Sequence, residues 1–316
     1  MIRIGRRYRA PVFKFIVFIS LLAAIASTTL IGVEAEGGSP VEVLTGVRLV
    51  NVEKVDLASN TYRLDFYLWF SWTPGKIDMA RVEEFEFLNG SPSKDVVFFT
   101  EEEGFLEYRV RGDFVKTFDF SRYPFESHTL LVAIEHKNMN STELVYTVDV
   151  DSSLDSGVNV VGWDLLGFDT YVVEHKFSGN SFSNFVFDLK VGRPLISSFV
   201  KNVLPITVIV IISLLTFFIA PQNFGQRIGL AVSTLMAASA FHLSLLSGLP
   251  PTGYLTLADR MMLIVYIIFL FNLAVSVYIM KLVDTSRREE AARFNSRAAK
   301  ILVVLTVILI VIQVFI

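Results

Sequence analysis

The sequence predicts an extracellular all-β, immunoglobulin-like sandwich followed by a four-helix transmembrane bundle. Three observations carry that expectation. Of 316 residues, 53% are hydrophobic and 19% charged, and the mean hydropathy is +0.53, too apolar for an ordinary soluble domain. Apolar residues alternate with period two through the middle of the chain and run unbroken near its end. Charge divides along the same lines. Residues 1–35 hold five Lys/Arg against one acid, residues 36–192 hold 13 against 26, and residues 193–316 hold 10 against 4. An acidic middle and a basic, apolar end describe a membrane protein with an exposed acidic domain and argue against a nucleic-acid partner. The chain has no cysteine, which excludes disulfide frameworks, thiolate metal sites and cysteine nucleophiles.

Residues 1–35 read as an export signal. Arg6-Arg7-Tyr8-Arg9 precedes an apolar run from Val12 to about Ile25, and Val33 and Ala35 suit cleavage before Glu36. An uncleaved anchor is the alternative; either delivers the next segment outside the cytoplasm. Residues 36–193 then read as β. Tyr62, Leu64, Phe66, Leu68 and Phe70 alternate with Arg63, Asp65, Tyr67, Trp69 and Ser71. The pattern returns at Leu106/Tyr108/Val110, Leu144/Tyr146/Val148/Val150 and Phe185/Phe187/Leu189/Val191. Turn signals punctuate the runs at Thr73-Pro74-Gly75, Asn89-Gly90-Ser91-Pro92, Asp155-Ser156-Gly157 and Ser178-Gly179-Asn180. Many short strands with regular punctuation suggest a sandwich. No catalytic motif, metal cluster or cofactor signature accompanies them, and Glu101-Glu102-Glu103-Gly104 is a solvated turn.

From Pro194 four apolar stretches follow, at about 194–220, 226–248, 258–281 and 298–316. Each can cross a hydrocarbon core that needs about 20 helical residues. The linker before the fourth carries Lys281, Arg287, Arg288, Arg293, Arg297 and Lys300, a basic bias that places it in the cytoplasm. Four spans then leave both the β-domain and the C-terminus outside, in agreement with the export signal.

The second span is less apolar than its neighbours. Steps of four and three gather Gly229, Ser233, Met236, Ala240, Leu243 and Ser247 on one face. Small residues of this kind pack helices together in membranes. The same stripe can line a narrow pore whose constriction at Met236, Ala240 and Leu243 gates by dewetting. Arg227, Asp259 and Arg260 sit at the ends of spans. His242 and Ser239 fall off the stripe. A histidine inside a membrane helix is either a helix–helix hydrogen-bonding group or a titrating sensor.

At this point the chain resembles the pentameric ligand-gated ion channels, the Cys-loop receptor family, in its cysteine-free prokaryotic form. Phe118-Asp119-Phe120-Ser121-Arg122-Tyr123-Pro124-Phe125-Glu126 is similar to the family's signature loop, and Lys116 and Leu130 stand where animal receptors carry cysteines. Val161-Gly162-Trp163-Asp164 is similar to a stretch of bacterial proton-gated channels. Arg193 matches the arginine before the first membrane helix, and Asn202-Val203-Leu204-Pro205 resembles the proline-containing turn. Arg227 to Leu235 resembles the pore helix, and Leu249-Pro250-Pro251-Thr252 the loop after it.

The resemblance implies a homopentamer in which the stripe of the second span becomes six rings around an ion path. It also implies membrane lipid, ions such as Na and K, and a small-molecule or proton agonist as partners. The expected location is the inner (plasma) membrane. Coupling between the domains is expected at Glu53, Asp56, Asp119, Tyr123, Pro124, Phe125, Glu126, Arg193, Pro250, Pro251 and Tyr254, with Glu126, Asp119 or Glu53 pairing with Arg193. The positions corresponding to the ligand pocket are Tyr67, Trp69, Arg109, Arg111, Glu135, His136, Phe177 and Phe182. The family's Trp-x-Pro stretch has no match between Ile77 and Val97. Cation channels of the family carry a glutamate ring where Gly225 and Gln226 stand, and the helix sequence is closer to anion-selective receptors. The acidic outer domain favours cations. A non-conducting sensor anchored by four helices is the rival from another class; an enzyme would need a catalytic constellation that the sequence does not offer.

Overall fold

Alternation sorts the side chains of each strand into an inner and an outer set, and the inner sets of two sheets fill one core. A computed structural model describes residues 39–315, with side chains through Leu309. The export-signal reading of residues 1–35 lies outside the described residues. The β-domain runs β1 (Val41–Asp56), β2 (Thr61–Trp72), a short helix α1 (Met79–Val82), β3 (Phe85–Phe87), β4 (Ser93–Thr100) and β5 (Phe105–Val115). It continues through β6 (Ser127–His136), β7 (Leu144–Val148), β8 (Ser153–Leu154), β9 (Asp164–Phe177) and β10 (Asn180–Gly192). One sheet has the order β4-β5-β2-β1-β7, with β8 also on β1; the other has the order β3-β6-β10-β9.

The expected inner sets are buried. Tyr62, Leu64, Phe66, Leu68 and Phe70 from β2 meet Phe185, Phe187, Leu189 and Val191 from β10 in one cluster. The β7 run is shorter than expected: Val150 is 91% exposed, because the strand ends at Val148 and the chain turns. The segment 77–97, lacking the family's Trp-x-Pro, holds α1, β3 and the first part of β4. Ser178 and Gly179 both take positive φ, the two-residue turn that suits the twist of a hairpin. Gly46 is glycine because the Trp69 indole lies flat on its Cα, where a Cβ would collide.

The membrane part comprises α2 (Leu195–Phe218), α3 (Phe224–Leu246), α4 (Leu257–Asp284) and α5 (Arg288–Phe315). Among the described residues the first three are long and apolar enough to span a bilayer, and α5 is 28 residues long. The expected proline-containing turn is helical. Pro205 has no N–H to donate, and the turn just before it, Phe199–Val203, widens to a π-helical turn. The expected linker at 282–297 is a correction: only Thr285–Arg287 connect α4 to α5, and Arg288, Arg293, Arg297 and Lys300 ride on α5. α4 is the central helix. Ile264, Ile268, Val275, Ile279 and Leu282 pack with Phe217 of α2 and Ala291, Ala298 and Leu302 of α5. Small residues at 291 and 298 let those two backbones approach.

Candidate pore face and its coupling to the β-domain

Along α3 the buried residues are Arg227, Ala231, Thr234, Ala238 and Leu245. At about 100° per residue they form one face, and the stripe lies roughly half a turn away. Gly229, Ser233, Met236, Ala240, Leu243 and Ser247 are all exposed, Met236 by 69% and Leu243 by 75%. Ser247 caps the helix end. Among the described residues no helix of the same chain covers the stripe, which leaves it to a helix of another copy or to water. Thr234 and Ser239 return their hydroxyls to carbonyls of their own helix and need no outside partner.

His242, off the stripe, makes the helix–helix contact anticipated for it. Its Nδ1 is 3.1 Å from the Tyr266 hydroxyl and its Nε2 3.2 Å from Asp259 Oδ1, both on α4. The other oxygen of Asp259 closes a capping box with Thr256 at the start of α4. Arg227 does not lie at a water interface. It is fully buried, donating to the Ile219 carbonyl at 3.0 Å and to Asn295 Oδ1 of α5 at 2.8 Å. Asn295 in turn donates to the Phe217 carbonyl. Sequence reasoning missed this knot, although a lone arginine in an apolar span was its signal.

The loop 116–126 joins the two domains. A helix begins with N–H groups that have no partner inside it. In α4 two of them find partners in the loop: Leu257 N donates to Ser121 O and Ala258 N to Tyr123 O, each at 3.0 Å. The Tyr123 hydroxyl donates to the Leu245 carbonyl of α3 at 3.0 Å. Tyr254 accepts from Phe120 N and donates to Asp119. Pro124 is buried, Phe125 and Pro250 half-buried, Pro251 exposed. Arg193 pairs with buried Glu126 at 2.9 Å and lies 4.1 Å over the Trp163 ring. The other expected partners are occupied elsewhere, Glu53 with Arg111 and Asp119 with Ser121; Asp56, also expected at the joint, meets Lys54. Lys116 donates to the Thr129 hydroxyl, so the loop is tied beside the positions where animal receptors carry their cysteines.

The expected ligand residues form two clusters on different sheets. On the outer face of β2 and β5, Arg48 and Arg109 lie on the Tyr67 ring at 4.7 and 4.5 Å. Asp65, buried on that face, accepts from Arg109 at 2.5 and 2.8 Å and from Arg111 at 2.7 Å. Its hydrogen bonds with Arg109 and Arg111 hold it below the usual carboxylate pKa. Trp69, two residues along the same face of β2, donates its indole N–H to Asp149. On the second sheet Glu135 pairs with His175 at 2.7 Å, near half-buried Phe182 and the exposed Phe177 at the hairpin. His136 is a correction. Its Nδ1 accepts from Asn138 N and Met139 N and its Nε2 meets the Arg81 carbonyl, so its ring is consumed in fixing a turn. No hydrogen bond or ion pair joins the two clusters among the described residues. Nor do the described residues bring three or more His, Asp or Glu together as a metal site.

Over residues 202–312 the chain matches the family described as neurotransmitter-gated ion-channel transmembrane region. It is 24% identical over 286 residues to a proton-gated ion channel of Gloeobacter violaceus, covering 83% of this chain and 79% of that protein. It is 22% identical over 224 residues to the serotonin-gated chloride channel mod-1 of Caenorhabditis elegans, covering 68% of this chain but only 45% of that one.

Proposed function

The chain belongs to the family of pentameric ligand-gated ion channels, and from that premise we propose that five copies surround a pore lined by α3. The observation that carries this is the exposed stripe opposite the packed face of α3. Five-fold repetition turns it into rings at Gly229, Ser233, Met236, Ala240, Leu243 and Ser247. Met236, Ala240 and Leu243 form a hydrophobic gate that closes by dewetting. Residues 36–193 face the outer or periplasmic side once residues 1–35 are removed, and residues 194–316 lie in the inner (plasma) membrane. The C-terminus is outside.

Opening begins in the β-domain, where an agonist sits between the Tyr67–Arg109 cluster of one copy and the Glu135–His175 cluster of the next. Protons are the second candidate, in keeping with the proton-gated relative. A ligand opens the pore only through its differential affinity for the two states. The joint that transmits it is the loop 116–126, which holds α4 by backbone bonds and α3 by Tyr123. The acidic outer domain, 26 Asp/Glu against 13 Lys/Arg, enriches Na and K at the entrance. The anion alternative has support in Arg227, whose hydrogen-bond acceptors are both neutral, and in the chloride relative.

The test is two-electrode recording after expression while stepping pH, Ca²⁺ and a panel of amines. A gated current is expected, with leak in Met236→Ser and Leu243→Ser. Silence in every condition, together with no leak in either variant, would return the protein to a non-conducting sensor. Reversal potentials in diluted NaCl decide the sign of the ion.

A further inference from the structure

We infer that Thr216, Asn272 and Ser276 hold a buried water that joins α2 to α4, in the half of the helix bundle nearer the α4–α5 connection. The inference does not depend on the pore and stands or falls separately from it.

A hydroxyl on a membrane helix has a ready partner in the carbonyl four residues back. This chain uses that partner repeatedly: Thr207 returns its hydroxyl to Val203, Thr234 to Leu230, Ser239 to Leu235 and Thr306 to Leu302. Thr216 and Ser276 do not. Both are wholly buried, and neither hydroxyl has a partner among the described residues. Asn272 adds a third such atom. It is wholly buried too, and donates its amide N–H groups to the Ser213 carbonyl and hydroxyl at 2.8 and 3.0 Å, while its Oδ1 accepts nothing there. Turning the amide over would only set that oxygen against the Ser213 carbonyl. An unpaired polar atom in an apolar interior is costly, so three in one region call for a common partner.

Helix geometry brings the three together. α2 and α4 run the same way: Ile206 clusters with Met262 and Val265, and Phe217 with Val275 and Ile279. The Ser213–Asn272 bond fixes where the two helices face each other. Thr216 lies three residues farther along α2 and Ser276 four farther along α4, about 4.5 and 6 Å by helical rise. Three residues turn a side chain by about −60° and four by about +40°. On parallel helices that face each other, those opposite turns aim both side chains to the same side of the contact. Two hydrogen bonds through one water span about 5.5 Å.

The three groups also select the ligand. Asn272 Oδ1 can only accept, whereas the hydroxyls can donate or accept. An anion would be repelled by the amide oxygen, and a cation would find no carboxylate among the three. A water gives one proton to Asn272 and accepts from both hydroxyls, and about three bonds are usual for a buried water. It continues, one turn farther, the tie that Ser213 and Asn272 begin.

The test is the melting temperature of the solubilised full-length protein. Thr216→Val and Ser276→Ala each remove a hydroxyl and little else. With a water in place, each takes away one of its partners and should lower the melting temperature by roughly 2–4 °C. The double variant should lose no more than the larger single loss, because both substitutions act on one water. Without a water, each substitution removes a costly unpaired hydroxyl and the melting temperature holds or rises. That result in either single variant, or losses that simply add in the double, overturns the inference. Water-edited NMR of wild type labelled at serine and threonine gives a reading that needs no variant to fold. Magnetisation should pass from water to Thr216 and Ser276, and absence of transfer at either residue overturns the inference as well.

Discussion

α3 and α4 are neighbours of similar length, and they meet their surroundings in opposite ways. α4 is apolar around most of its circumference and buries half of its most apolar window; α3 buries only 22% of its own. α4 is fastened to the β-domain by two backbone hydrogen bonds from its first turn, α3 by one tyrosine hydroxyl near its last. One helix packs half of its surface inside the chain. The other leaves one whole face exposed in the single chain. In a membrane, where lipid is as apolar as leucine, the helix with spare small and polar residues is the one that needs further partners or water.

The largest effect should separate the helices by stability. Ile268→Ala empties a fully packed site on α4 and should cost about 3 kcal/mol, read as a lower melting temperature of the solubilised protein. Leu243→Ala on α3 should stay within about 0.5 kcal/mol of wild type. Equal losses would mean that the stripe is packed against another copy and does not meet water.

A smaller effect tests the bed on which the coupling loop rests. His128 is enclosed by the rings of Phe118, Phe120 and Trp163, with centroids 4.8, 5.9 and 5.3 Å away, and its Nε2 has no partner. Burial pushes its pKa down to about 4, helped by the nearby charges of Arg193 and Lys116 and opposed by Asp119. The unfolded chain takes up this proton near pH 6.5. Between the two values the unfolded state binds more protons, so stability falls as pH falls, by at most about 1.4 kcal/mol per unit. Melting curves from pH 7 to 4 should show that decline and His128→Phe should flatten it; an identical slope in the variant would assign the decline to other groups.

The smallest effect is on the fastening of α3. Tyr123→Phe removes one hydrogen bond, worth about 1 kcal/mol, and should move the activation midpoint about fivefold without lowering the melting temperature as Ile268→Ala does. A midpoint that does not move would shift the coupling to the bonds that the loop makes with α4 and Tyr254.

Periodicity made the strands and spans legible because it records burial, and burial follows from side-chain chemistry. It could not give partners. Asp65 shares the outer face of β2 with Tyr67, yet it is buried because register puts Arg109 and Arg111 beside it. His136 looked like a ligand group until the backbone around it claimed both nitrogens. The α4–α5 linker was overestimated because charged residues at 288–300 read as loop, whereas helices emerge from membranes carrying such residues on their ends. The stripe was legible as a stripe and ambiguous in use, since helical spacing says which residues share a face and not what lies opposite.

The tie between Lys116 and Thr129 has a consequence for how this protein is made. A loop closed by an ammonium and a hydroxyl forms as soon as the strands pair. It needs no oxidant to close, no isomerase to correct a wrong pairing and no compartment of particular redox poise. Reductants that would open a cysteine-closed loop have nothing to attack in this one. The stretch of chain between the β-domain and the membrane helices is thereby indifferent to thiols.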